Sequence, residues 1–150
     1  MAQALPTETY APDHHRLAPA PLHLWIVGGL SLLWNAFGAF DFTASSLHVA
    51  WYLRGLPPER LAAMALFPGW EVAAWAIGVW GSFAGSVLIL LRCRMAFAAF
   101  VASMAGLAIN CFYLELTGWP VFTGLNAAIW VILIALTVYT RAMVSRDVLK

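Results

Sequence analysis

The chain has 150 residues, 63% of them hydrophobic and 10% charged, with a net charge of +1. Eight basic and seven acidic side chains cannot cover a water-soluble fold of this length, and they fall between long apolar runs, so the solvent of most of the chain is lipid. A balance this close to neutral provides no basic stripe to neutralise phosphates, which excludes nucleic acid as a partner.

The first stretch, MAQALPTETYAPDHHRLAPA, is polar, rich in Pro and Ala, and lacks the early positive charge of a secretory signal. Residues 1–21 are expected to be a flexible cytoplasmic tail, and His14 and His15 beside Asp13 make at most a weak metal site. The first apolar span runs over about 22–42. It carries Asn35 inside and Asp41 in its last turn, where a carboxylate opposes the helix dipole and calls for a partner. Arg54 or Arg60 in the following loop is placed to supply it.

That loop, 43–69, is much longer than the other two connections. Its PPERLAAMALF segment has prolines at a helix start and Glu59 in the first turn, which predicts a short helix lying at the membrane interface. Trp51, Tyr52 and Trp70 flank it, and Trp119 lies near the same interface, where aromatic rings anchor.

The second span, about 70–91, opens with FPGWE. Glu71 therefore reads first as a negative charge in the first turn of a helix, favoured by the dipole. Helical geometry also puts Glu71, Ala74, Gly78 and Ser82 on one face, which turns the carboxyl into the bundle. Small residues at four-residue spacing mark contact faces in lipid. Here they are Ala74, Gly78, Ser82 and Ser86, with Gly81 and Gly85 beside them, and Ala98, Ala102, Gly106 and Asn110 in the third span, about 95–116. The second and third helices are thus expected to form the tight centre, with Asn35 and Asn110 as hydrogen-bonding glue. The fourth span, about 123–141, carries Asn126 near its start, and 142–150 is expected to be a second cytoplasmic tail.

Each span must be helical, because an isolated strand in hydrocarbon leaves its backbone unpaired. The fold class is all-α: a bundle of four transmembrane helices. With the N-terminus inside, Arg16, Arg92, Arg94, Arg141, Arg146 and Lys150 lie on the cytoplasmic side and Arg54 and Arg60 outside, so both termini are expected in the cytoplasm. Asp41, Glu71, Glu115 and Asn126 then gather toward the outer face as a candidate vestibule.

Enzymatic readings lack parts. Haem ligation needs histidines inside the spans, and thiol oxidation needs closely paired cysteines. Cys93 and Cys111 stand eighteen positions apart, roughly 27 Å along a helix, too far for a disulfide. No catalytic set, metal site or cofactor motif is expected.

The string HLWIVGGLSLLWNAFGAFDF, followed by PPERLAAMALFPGWEVAAWAIGVWGSFAGSVLILLRCR, resembles a family of small four-helix bacterial inner-membrane proteins often labelled "sugar transporter". The likeness covers residues 23–114. Its most specific parts are the Trp34-Asn35 pair, Asp41 flanked by aromatics, and Phe67-Pro68-x-Trp70 before the second helix. The family's relatives commonly have aromatic-Asp-Tyr where this chain has Phe40-Asp41-Phe42, and the loop from Thr43 to Leu56 runs differently. The resemblance implies the fold and the bacterial inner membrane, and no established activity. Two functions stay open: a non-catalytic accessory subunit that binds a membrane-protein partner, and a small-solute carrier, sugar-like or proton-coupled, acting as a homo-oligomer.

Overall fold

A computed structural model describes residues 20–121 and 123–150; the tail expected over 1–21 lies almost entirely outside them. Four helices are long and apolar enough to cross a membrane: α1 (Leu22–Ser46), α4 (Gly69–Leu90), α5 (Met95–Leu116) and α6 (Gly124–Ser145). Two short helices, α2 (Ala50–Leu53) and α3 (Pro58–Met64), lie in the long connection after α1. No strand occurs among the described residues. Large apolar side chains stay exposed on every long helix, for example Leu33 and Phe37 on α1, Phe112 on α5 and Val131 on α6. This is the architecture of a multi-pass membrane protein, whose outward surface matches hydrocarbon.

Every helix but α5 starts after a residue with extended backbone. Pro21, Pro57 and Pro68 precede α1, α3 and α4, and the Thr123 hydroxyl accepts the Asn126 amide at 3.1 Å ahead of α6. The ends are less obvious. Each long helix closes on a residue with positive φ: His48 (52°), Arg92 (56°), Gly118 (77°) and Asp147 (55°). The next amide then returns to a carbonyl one turn back, as in Val49 to Ala44 (3.0 Å) and Cys93 to Leu88 (2.9 Å). Three of these four positions lack glycine, the residue that normally announces such an end. Consequently α1 and α6 each run four residues beyond the ends expected from apolar length, to Ser46 and Ser145.

Helices α4 and α5 approach most closely. A Cβ built on Gly106 would lie 2.6 Å from both the Ala74 carbonyl oxygen and the Gly78 nitrogen, so backbone meets backbone there. Gly81 faces Ser103, Gly85 faces the Phe100 ring, and the Ser103 hydroxyl donates to the Gly78 carbonyl at 2.5 Å. The expected row through Ala102 needs correction, because Ala102 is exposed. The buried positions of α5 are Ala96, Phe100, Ser103 and Gly106. Residues four apart advance about 40° past a full turn, so a strict four-residue row winds off the contact face, whereas steps of four and three stay on it.

The small residues of α4 also divide between two neighbours. The glycines turn to α5, while Ser86 accepts Asn35 Nδ2 of α1 at 2.9 Å and itself donates to the Ser82 carbonyl at 2.9 Å. Helix α6 packs chiefly on α5. Toward the end of the bundle that holds the start of α1, a buried core of Leu24, Ile89, Phe100, Leu136, Met143 and Leu149 closes the space between helices.

The segment expected to be a tail is part of this plug. Helix α6 continues to Ser145, and Val148 and Leu149 are buried. Lys150 then pairs by backbone with the turn after α4: its amide donates to the Arg92 carbonyl at 3.0 Å, and its carbonyl accepts from the Arg94 amide at 2.9 Å. Arg92 Nε reaches the Val148 carbonyl at 3.2 Å.

Candidate functional site

At the opposite end, where α2 and α3 lie, the bundle is not filled. A cavity of about 800 Å³ extends from the loops toward the middle, and all four long helices contribute to its wall. Its size falls in the range of small-molecule sites, and its wall is mostly apolar with a few polar groups, the usual composition of such sites. Three tryptophans line it, Trp34 of α1, Trp75 of α4 and Trp119 of the loop before α6. Between α1 and α6, contact is made at the closed end, where His23 Nδ1 and the Tyr139 hydroxyl lie 2.7 Å apart.

Asp41 stands at the mouth. Arg60 of α3 places one guanidinium nitrogen 2.7 Å and 2.9 Å from its two carboxylate oxygens, and the Tyr52 hydroxyl of α2 donates to the same group. Of the two loop arginines placed to meet Asp41, Arg60 does so, while Arg54 bonds the Ala50 carbonyl. The loop is thereby fastened to the end of α1 by a charge-assisted contact. Burial first, then the bond to Asp41 and its charge, pushes the Tyr52 phenol from 10.0 up to about 12, with Arg60 acting the other way. A phenol whose folded pKa is raised contributes stability that is fully present below pH 10 and is lost as pH rises through about 12. We therefore expect a late phenolate absorption step near pH 12 that disappears in Tyr52→Phe; identical alkaline titration curves for the two proteins would reject this assignment.

Asn35, Asn110 and Asn126, with Ser82, Ser103 and Thr123, form the other polar part of the wall. Asn126 Nδ2 donates to the Val121 carbonyl at 2.7 Å and lies 3.5 Å from the Cys111 sulfur, which holds the loop before α6 against α5. Asn110 Nδ2 donates to Oε1 of Glu71. Glu71 itself is 0% exposed, and its Oε2 has no hydrogen-bond partner among the described residues. Its position in the first turn of α4 suits a negative charge, as a helix start would require. Yet the side chain reaches sideways into α5 rather than back over its own first turn, because the N-cap is Pro68, which has no amide hydrogen to offer it.

The residues expected as a vestibule therefore divide. Asp41 and Asn126 line the cavity; Glu71 lies one hydrogen bond behind its wall, through Asn110; Glu115 is exposed and is not part of the lining. Glu115 and Glu71 point differently because Glu115 lies five positions beyond Asn110 on α5, about 140° around the helix from the face that meets α4. Of the expected packing residues, Gly78 and Ser82 also line the cavity, whereas Gly81 and Gly85 lie in the α4 and α5 contact. Sequence reasoning missed Tyr52 as a partner of Asp41 and the convergence of Trp34, Trp75 and Trp119, which sit on separate elements with no shared motif.

Comparison with protein families, with curated proteins and with solved structures finds no match for this chain.

Proposed function

We propose that this chain is an integral membrane binding protein whose cavity holds one small amphipathic molecule, as the binding element of a carrier. The observation that carries this reading is the 800 Å³ cavity at one end of the bundle, apolar in most of its wall and polar at Asn35, Asn110, Asn126 and the Asp41 and Arg60 pair. A bundle built only for packing has no reason to keep such a volume open, since interhelical contact is what holds helices together in lipid. The distribution of basic residues supports both termini facing the cytoplasm, which puts the cavity mouth and α3 at the outer interface, and the resemblance over residues 23–114 supports a bacterial inner membrane. Carriage across the membrane then calls for a homo-oligomer, because four helices enclose too little of a pathway.

The accessory-subunit reading has its own support: α6 packs on α5 and leaves α1 largely unsupported on its flank, so an apolar seam is open to a helix of a membrane-protein partner. One experiment separates the two. In nanodiscs, brominated amphiphiles with neutral glycoside, cationic and anionic heads are titrated while tryptophan fluorescence is followed. Saturable quenching by at least one of them, abolished in Gly38→Trp, which fills the cavity, is the expected result. Quenching that only tracks partition into empty bilayer, together with a stoichiometric partner copurified from native membranes, would establish the accessory role instead.

A further inference from the structure

We propose that the molecule held in this cavity is an organic cation, an ammonium or similar onium group on an apolar body; the inference rests on the reading of the cavity as a ligand site. Three features converge on it.

The first is a charge count. Asp41, Arg60 and Glu71 are the charged side chains in the wall or directly behind it. Arg60 is spent on Asp41, to which it donates twice. That leaves Glu71, fully buried inside a membrane-spanning helix, with one oxygen held by Asn110 and the other unpartnered. A buried carboxyl with an unpartnered oxygen is costly to charge on its own, and an ionisable group inside a span marks a site for an ion or a substrate. The positive end of α4 and a positive group bound on the other side of Asn110 would together favour the charged form.

The second feature is the polarity of the wall. The side-chain nitrogens of Asn35, Asn110 and Asn126 each donate to a group inside the protein, respectively Ser86, Glu71 and the Val121 carbonyl. The amide oxygens of Asn35 and Asn110 have no partner among the described residues, so each amide has an acceptor for the ligand beside the second hydrogen of its NH2 group. Acceptors turn toward a donor or a positive centre. The third is aromatic. Trp34, Trp75 and Trp119 stand on three different elements around the same volume, and indole faces attract cations, most strongly where water is excluded. The apolar remainder of the wall fits a hydrocarbon or aryl body and would not retain a bare inorganic ion.

The test compares two probes of similar shape and different charge, tetraphenylphosphonium and neutral triphenylphosphine oxide, by equilibrium binding to the full chain in phosphatidylcholine nanodiscs with empty nanodiscs subtracted. We expect one saturable phosphonium site per chain, with the neutral probe weaker by roughly tenfold or more. Glu71→Gln is expected to erase that difference by weakening the phosphonium alone. The comparison on the unaltered protein needs no variant, so a folding defect in Glu71→Gln does not rescue the proposal. If the neutral probe binds as tightly as the cation, the cation assignment is overturned while the cavity stands as a ligand site. If neither probe binds but a neutral or anionic amphiphile saturates the cavity, the assignment is likewise overturned. If no amphiphile saturates it, the proposed function falls as well.

Discussion

Gly106→Ala is expected to destabilise the bundle by about 3 kcal/mol, because the added methyl has nowhere to go. Its Cβ would lie 2.6 Å from the Ala74 oxygen and the Gly78 nitrogen, both backbone atoms of α4, and no side-chain rotamer relieves a clash with backbone. The helices must separate, and that weakens the Ser103 bond to the Gly78 carbonyl along the same seam. In lipid no hydrophobic effect draws the helices back together, so close contact once lost is not replaced. Gly29→Ala is the control: nothing lies within 4 Å of a Cβ there, and the change removes only backbone freedom from a helix. Detergent-induced unfolding of the two variants should place Gly106→Ala well below the parent and Gly29→Ala at or slightly above it. Equal midpoints for both would mean that α4 and α5 do not approach as described.

Asn110→Leu is the second large effect, an expected loss of about 2 kcal/mol. A neutral hydrogen bond between helices in lipid is worth only about 0.6 kcal/mol, since the unfolded helices find other partners. The bond from Asn110 differs, because it is the one hydrogen bond that the Glu71 carboxyl receives among the described residues. Removing it leaves a fully buried group with neither oxygen satisfied, and the desolvation of that group becomes the cost. The argument carries its own check. Replacing both partners, Asn110→Leu with Glu71→Leu, should recover most of the stability, since no buried polar atom is then stranded. If the double variant is as unstable as the sum of the two single changes, the coupling between these residues is absent and the seam depends on shape alone.

Much of the architecture is readable from residue types, because lipid imposes one rule on every span. Backbone groups must pair within the segment, so length and hydropathy alone place four helices. The ends were less legible. Ser46 and Ser145 lie beyond the apolar runs, in turns closed by His48 and Asp147, where no glycine marks the stop. The row through Ala102 failed for a related reason: spacing of four approximates a helical period of 3.6, and the difference accumulates over three turns.

The site was legible only in part. Composition and spacing single out Asp41, Glu71, Asn110 and Asn126 because each is polar within or beside an apolar span. Which of them meet depends on the rotation and depth of each helix, and those follow from contacts far along the sequence. Gly106 against Ala74 and Gly78 sets the depth of α5 beside α4 and so brings Asn110 to Glu71. Arg60 reaches Asp41 only because the long connection folds back through α2 and α3. The sequence by itself thus determined the solvent, the helix count and the presence of polar groups where hydrocarbon disfavours them. The tertiary structure alone decided that one end of the bundle is plugged by Leu24, Phe100 and Leu149 while the other stays open around three tryptophans. Local propensity sees a residue and its near neighbours, whereas an unfilled volume exists only between helices that approach closely on one side and part on the other.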